Sequence, residues 1–195
     1  MPGNGKIVVG RAELKLLGAI TAFGVSLVDK TVLDIGSSTG GFTEAALRNG
    51  AKHVIAVEKG TRQMKAPLRF DPRIDLHEKT DIFEFEISRE ERPDFILADV
   101  SFVSLRNVLM YAKYHFAKPK TEFLVMLKPQ FEAKPWQLKD GIIKNNKIRR
   151  GIIVEFEAFL KDNGFVIVGK QDNKVAGRFG NVERFYHLKL EKRKK

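Results

Sequence analysis

Val32-Leu33-Asp34-Ile35-Gly36-Ser37-Ser38-Thr39-Gly40-Gly41-Phe42-Thr43 decides the fold. An apolar run meets an acid, and a turn with three glycines follows. Phe42, Thr43, Glu44, Ala45, Ala46 and Leu47 then read as the first turns of a helix. Strand, glycine turn and helix place a ligand at the carboxyl end of a parallel strand. The turn needs glycine because the backbone must bend sharply and approach the ligand without a Cβ in the way.

The same stretch narrows the ligand. A dinucleotide fingerprint needs glycine at 36, 38 and 41, and position 38 is Ser38. No Gly-Lys-Ser/Thr follows, so the turn is not an ATP-type phosphate loop. Asp34-x-Gly36-x-x-x-Gly40-Gly41 suits a nucleoside with a cationic end and no phosphate. S-adenosylmethionine is such a ligand. Residues 53–58 read as the next strand, and Glu58 at its tip can accept hydrogen bonds from ribose hydroxyls.

Working outward, residues 11–23 read as a helix, with Leu16, Ile20 and Phe23 on one stripe. Strands are expected at 31–34, 53–58, 74–78, 93–99, 122–127, 165–170 and 185–190. Helices are expected from the glycine turn to 49, at 61–65, from Ser104 to 116, and at 148–161. Asp81 follows the third strand and is expected to face the ligand cleft. Asp99 ends the fourth strand. Lys128 ends the fifth, held there by Pro129. Residues 133–146 form a long polar loop of the kind that is often functional. Glycines punctuate a second loop, Ala176 to Glu183. Apolar strands alternating with helices imply a parallel sheet covered on both faces. The last two strands lack an intervening helix, so an antiparallel hairpin is expected at one edge.

Composition fits one domain with a substantial core: 195 residues, 43% hydrophobic and 30% charged. The expected division is a flexible segment at 1–9, the domain at 10–191 and a basic tail at 192–195. There is no cysteine, which excludes disulfides and fits a cytoplasmic setting. No apolar run is long enough to span a membrane. His53, His77, His115 and His187 are scattered, so no metal is expected. A net charge of +11, spread along the chain, points to a polyanionic partner, nucleic acid above all. The oligomeric state is not legible.

Several strings resemble the FtsJ-like ribose 2′-O-methyltransferases, and among them the TlyA-like family of ribosomal RNA methyltransferases and hemolysin A proteins. They are Arg11-Ala12-Glu13-Leu14-Lys15-Leu16, the glycine turn, Ala98-Asp99-Val100-Ser101-Phe102-Val103-Ser104-Leu105, Lys128-Pro129-Gln130-Phe131-Glu132 and Gly180-Asn181-Val182-Glu183. The resemblance implies a Rossmann-like class I methyltransferase sheet, S-adenosylmethionine as cofactor, and ribosomal RNA or ribosomal subunits as partner. It implies a catalytic tetrad of Lys15, Asp99, Lys128 and Glu183. It implies methyl-donor contacts at Gly36, Gly40, Gly41, Phe42, Glu58 and Asp81; Asp34, Ser38 and Asp99 join them from the motif positions. Two stretches depart from the family pattern, Gly10-Arg11-Ala12-Glu13 before Lys15 and Ala133-Lys134-Pro135-Trp136 after Glu132. Many relatives carry an N-terminal RNA-binding domain ahead of the methyltransferase domain; here the expectation is that it is absent.

Lys128 is the candidate to receive the hydroxyl proton or to steer the hydroxyl, with Asp99 and Glu183 orienting the lysines. Two other readings are a hemolysin-type membrane-active protein and an RNA-binding module without catalysis. The first is disfavoured by the alternating pattern and the lack of a long basic amphipathic segment. The second keeps all four tetrad residue types and is separated from the enzyme only by assay.

Overall fold

A computed structural model describes residues 10–173 and 180–191. The expected flexible segment, the basic tail and residues 176–179 of the glycine-bearing loop lie outside the described residues. Seven strands form one sheet: β1 (Thr31–Ile35), β2 (His53–Glu58), β3 (Ile74–Glu78), β4 (Phe95–Ala98), β5 (Glu122–Leu127), β6 (Phe165–Asp172) and β7 (Arg184–Leu190). Their order across the sheet is β3-β2-β1-β4-β5-β7-β6. The first five are mutually parallel; β7 runs antiparallel to both β5 and β6. The expected hairpin is present, with β7 slotted inside and β6 outermost.

Among the described residues four α-helices cover the sheet: α1 (Arg11–Phe23), α2 (Gly41–Arg48), α3 (Leu105–His115) and α4 (Asn146–Asp162). Side chains alternate across each strand, which sorts the core into two layers. Val32, Val54, Leu97, Leu124 and Phe185 meet Leu16 and Ile20 of α1 and Ala45 and Ala46 of α2. Leu33, Ile55, Ile96, Val125 and Tyr186 meet Val108 and Leu109 of α3 and Phe156 and Leu160 of α4. Central strands are therefore apolar at nearly every position, while edge strand β6 has one buried residue, Phe165, and then alternates exposed with half-buried ones.

Ser104 caps α3 as the sequence suggests, accepting from the Arg106 amide, while α4 starts two residues ahead of the expected 148, where Asn145 accepts from the Lys147 amide. The expected short helix at 61–65 does not form. Arg62 takes a left-handed φ of 52°, and the Gln63 amide donates to the Glu78 carboxylate (2.9 Å) instead of a helical carbonyl. A 3-10 turn at Leu68–Phe70 follows Pro67.

Candidate active site

A cleft of about 780 Å³ opens over the carboxyl ends of β1, β2 and β4. Gly36, Ser38, Glu58, Asp81 and Asp99 line it, as the strand-tip positions suggest. Gly36 sits at φ 82°, and a Cβ there would lie 2.9 Å from the Asp99 carbonyl oxygen. Glycine thus lets the β1 turn pass under the tip of β4. Glu58 is held by its own neighbours: Ser38 N donates to Oε2 (2.9 Å) and Gly60 N to Oε1 (2.6 Å). Asp81 accepts from Phe83 N (3.1 Å) and pairs with Lys59 (2.8 Å). The Lys59 hydrogen bond holds its carboxyl below the usual range.

Four residues expected among the cofactor contacts lie behind this cleft. Asp34 has no exposed surface, and Thr43 Oγ1 donates to its Oδ2 (2.6 Å). Alternation along β1 explains the placement, since Asp34 points to the α1–α2 face with Val32. Burial pushes its carboxyl up to about 7, against the Thr43 bond; Asp99 and Glu58 add to the rise. A Cβ on Gly40 would strike Leu68 at 2.8 Å, and one on Gly41 would strike Ala12 at 2.7 Å. Phe42 stacks on Phe185 in the core (centroids 6.0 Å). These four build the floor that supports the turn; none lines the cleft.

Beside the cleft the four tetrad candidates form two ion pairs. Lys15 of α1 meets Glu183, just ahead of β7, at 2.5 Å. Lys128, after β5, meets Asp99, after β4, at 2.6 Å. Register brings the pairs to one rim, because β5 and β7 pair through Leu127 and Arg184, the residues next to Lys128 and Glu183. The pairs are not equivalent. Lys15 donates a hydrogen bond to Glu183, with side chains 11% and 4% exposed. Lys128 instead donates to Ser101 Oγ (2.9 Å); its approach to Asp99 is charge to charge, without hydrogen-bond alignment.

Further side chains act here that residue-by-residue reasoning did not single out. Ser101 holds the Lys128 ammonium. Phe102 stands at the cleft mouth, 92% exposed and at φ 64°, with the Phe131 ring 5.1 Å away. Glu132 accepts from Ser104 Oγ (2.8 Å) and Leu105 N (2.7 Å), tying the Lys128 turn to the start of α3. All lie within the two strings that carry the resemblance, which was the available signal. A second hollow of about 840 Å³ lies at the opposite ends of the strands, lined by Phe23, Lys30, Asp94, Lys118 and His187. Although larger, it contains none of the candidate residues.

Residues 8–190 match the FtsJ-like methyltransferase family. The 23S rRNA (cytidine-2′-O)-methyltransferase TlyA of Campylobacter jejuni is 37% identical over 184 residues, covering 93% of this chain and 71% of that protein. Hemolysin A of Brachyspira hyodysenteriae is 37% identical over 188 residues, covering 92% and 76%. A solved structure from Streptococcus thermophilus, named as a hemolysin, superposes with a TM-score of 0.89 at 35% identity, covering 97% of this chain and 70% of that one. Among the described residues no helix is long and apolar enough to cross a membrane.

Proposed function

Because the chain belongs to the FtsJ-like methyltransferase family, we propose that it transfers a methyl group from S-adenosylmethionine to a ribose 2′-hydroxyl of ribosomal RNA. The observation that carries this is the rim itself: two lysine–carboxylate pairs beside a cleft walled by a glycine turn and two acids. Relatives named as rRNA cytidine-2′-O-methyltransferases, 34–37% identical over most of the chain, support the same substrate class.

The residues present fit the cofactor. Glu58 Oε2 holds one backbone amide, from Ser38, and keeps a lone pair for a ribose hydroxyl, while Oε1 takes Gly60 N and Gln63 Nε2. Gly36 and Ser38 give backbone approach, and Asp81 walls the far side. S-adenosylmethionine supplies an electrophilic methyl on a sulfonium cation. Asp99, at the cleft edge, offers negative charge toward a cation. Lys128 faces the incoming hydroxyl; its ammonium steers the hydroxyl by donating a hydrogen bond to the oxygen, its neutral amine form would accept the proton, and Ser101 fixes the direction of the group. Lys15 and Glu183 complete the charge balance from the buried side of the rim. Ribosomal subunits are the natural partner and the cytoplasm the natural setting.

Calorimetry paired with a methyl-transfer assay tests the proposal. The chain should bind S-adenosylmethionine in preference to NAD. Lys128→Ala should abolish transfer while leaving cofactor affinity intact, since its role belongs to the chemical step. Tighter binding of NAD, or near-normal turnover without Lys128, would refute it.

A further inference from the structure

The loop after Glu132 carries features that methyl transfer leaves unused. Trp136 is the chain's single tryptophan, and it is 75% exposed. Its backbone is fixed: in the 3-10 turn Pro135–Gln137, Lys134 N donates to Gln137 Oε1 (2.8 Å) and Gln137 N to the Lys134 carbonyl (2.9 Å). The Lys134 ammonium lies 5.2 Å from the Trp136 ring, a cation–π contact that leaves the ring largely open to solvent. The loop is anchored to both halves of the tetrad. It begins a few residues after Lys128. Its middle is stapled to the Glu183 segment by Asn181, which accepts from Ile143 N (3.3 Å) and donates to the Gly141 carbonyl (3.1 Å).

Charge says what this surface meets. From 133 to 150 the chain has six basic residues and one acid, Asp140. Lys134, Lys139, Lys144, Lys147 and Arg150 are exposed, and none is ion-paired among the described residues. An open aromatic face set among unpaired cations matches the pattern that holds single-stranded nucleic acid, with bases stacking on the ring and phosphates on the lysines.

We infer that Trp136 stacks on an unpaired base of the RNA substrate close to the target nucleotide, with the surrounding lysines on the adjoining phosphates. This rests on the RNA methyltransferase reading above. The site takes single strands because bases within a duplex have no free face to offer.

Fluorescence tests it directly, because Trp136 is the only indole. The full chain is titrated at low salt with a short unstructured RNA, with a duplex of equal length and with heparin. Filter binding runs in parallel. The unstructured RNA should quench Trp136 along the filter-binding curve, while duplex and heparin quench little. Trp136→Ala should weaken single-strand binding roughly tenfold, Trp136→Phe should lose far less, and cofactor affinity should not move. Single-strand retention without quenching, equal quenching by heparin, or unchanged affinity in Trp136→Ala would overturn the inference while leaving methyl transfer standing. Failure to retain any RNA would overturn both.

Discussion

The two lysine–carboxylate pairs use the same chemical groups in different settings. Lys15–Glu183 is a closed pair, hydrogen-bonded and nearly sealed from solvent. Lys128–Asp99 is also largely covered, with side chains 13% and 19% exposed, but is the more open pair on its acid side: Asp99 borders the cleft, and the ammonium leans on Ser101. A closed pair holds structure, and breaking it strands a buried charge. An open pair retains donors and acceptors for a substrate. We therefore propose that the tetrad candidates divide into a supporting half and a reacting half, which substitutions should separate.

The largest effect is expected at the open pair. Lys128→Ala should lower turnover by roughly 10²- to 10⁴-fold, the range of a lost general base, with a smaller loss of stability than at the closed pair, because Asp99 borders the cleft. Lys128→Arg should not restore it, because a guanidinium stays protonated. At the closed pair the loss should appear in stability. Lys15→Ala should cost about 3–5 kcal/mol by leaving Glu183 buried without its partner; denaturant unfolding reads this, and adding Glu183→Ala should recover part of it. A stable, inactive Lys15→Ala protein would move Lys15 into the reacting half.

Asp34 sharpens the contrast as a third, fully buried acid. Its carboxyl is raised by burial to about 7 from an ordinary 3.8. Between those values the native state binds a proton that the unfolded chain has lost. Its contribution is complete below about pH 4 and disappears as pH rises through 7. Asp34→Asn removes that dependence. Relative to the unmutated chain, the variant should therefore gain stability between pH 4 and 8, by up to about 4 kcal/mol. Paired unfolding curves across pH check this; a constant difference would show that Asp34 is ionised in its pocket. Glu58→Ala carries the smallest effect. It should weaken S-adenosylmethionine binding by about 1.5–3 kcal/mol, measured by calorimetry, with the Lys128 chemistry untouched.

The strands and their acidic tips were legible because a central parallel strand is apolar on both faces and ends at the ligand rim. Glu58 and Asp99 reached the cleft for that reason, and Asp81 reaches it from the turn after edge strand β3. Asp34 did not, because alternation along β1 turns it to Thr43 while Asp99 lies one residue beyond the last paired position of β4. Periodicity does not say which polar residue of a strand is the last to be covered. The order within the β6–β7 hairpin was not legible either, since two adjacent apolar strands fit the sheet edge both ways. Lys15 and Glu183, 168 positions apart, met only through family resemblance, for nothing local in either segment names its partner. Arg62 shows the reverse case, where local helical propensity yielded to the carboxylates of Glu58 and Glu78.

The central claim is that the open pair directs a methyl group to a ribose oxygen. Its most direct test is incubation of ribosomal subunits with labelled S-adenosylmethionine and the unmutated chain, followed by digestion to nucleosides and identification of the labelled product. Label in a 2′-O-methylated nucleoside, absent with Lys128→Ala, is the expected result. Label on a base, or equal labelling by Lys128→Ala, would contradict it.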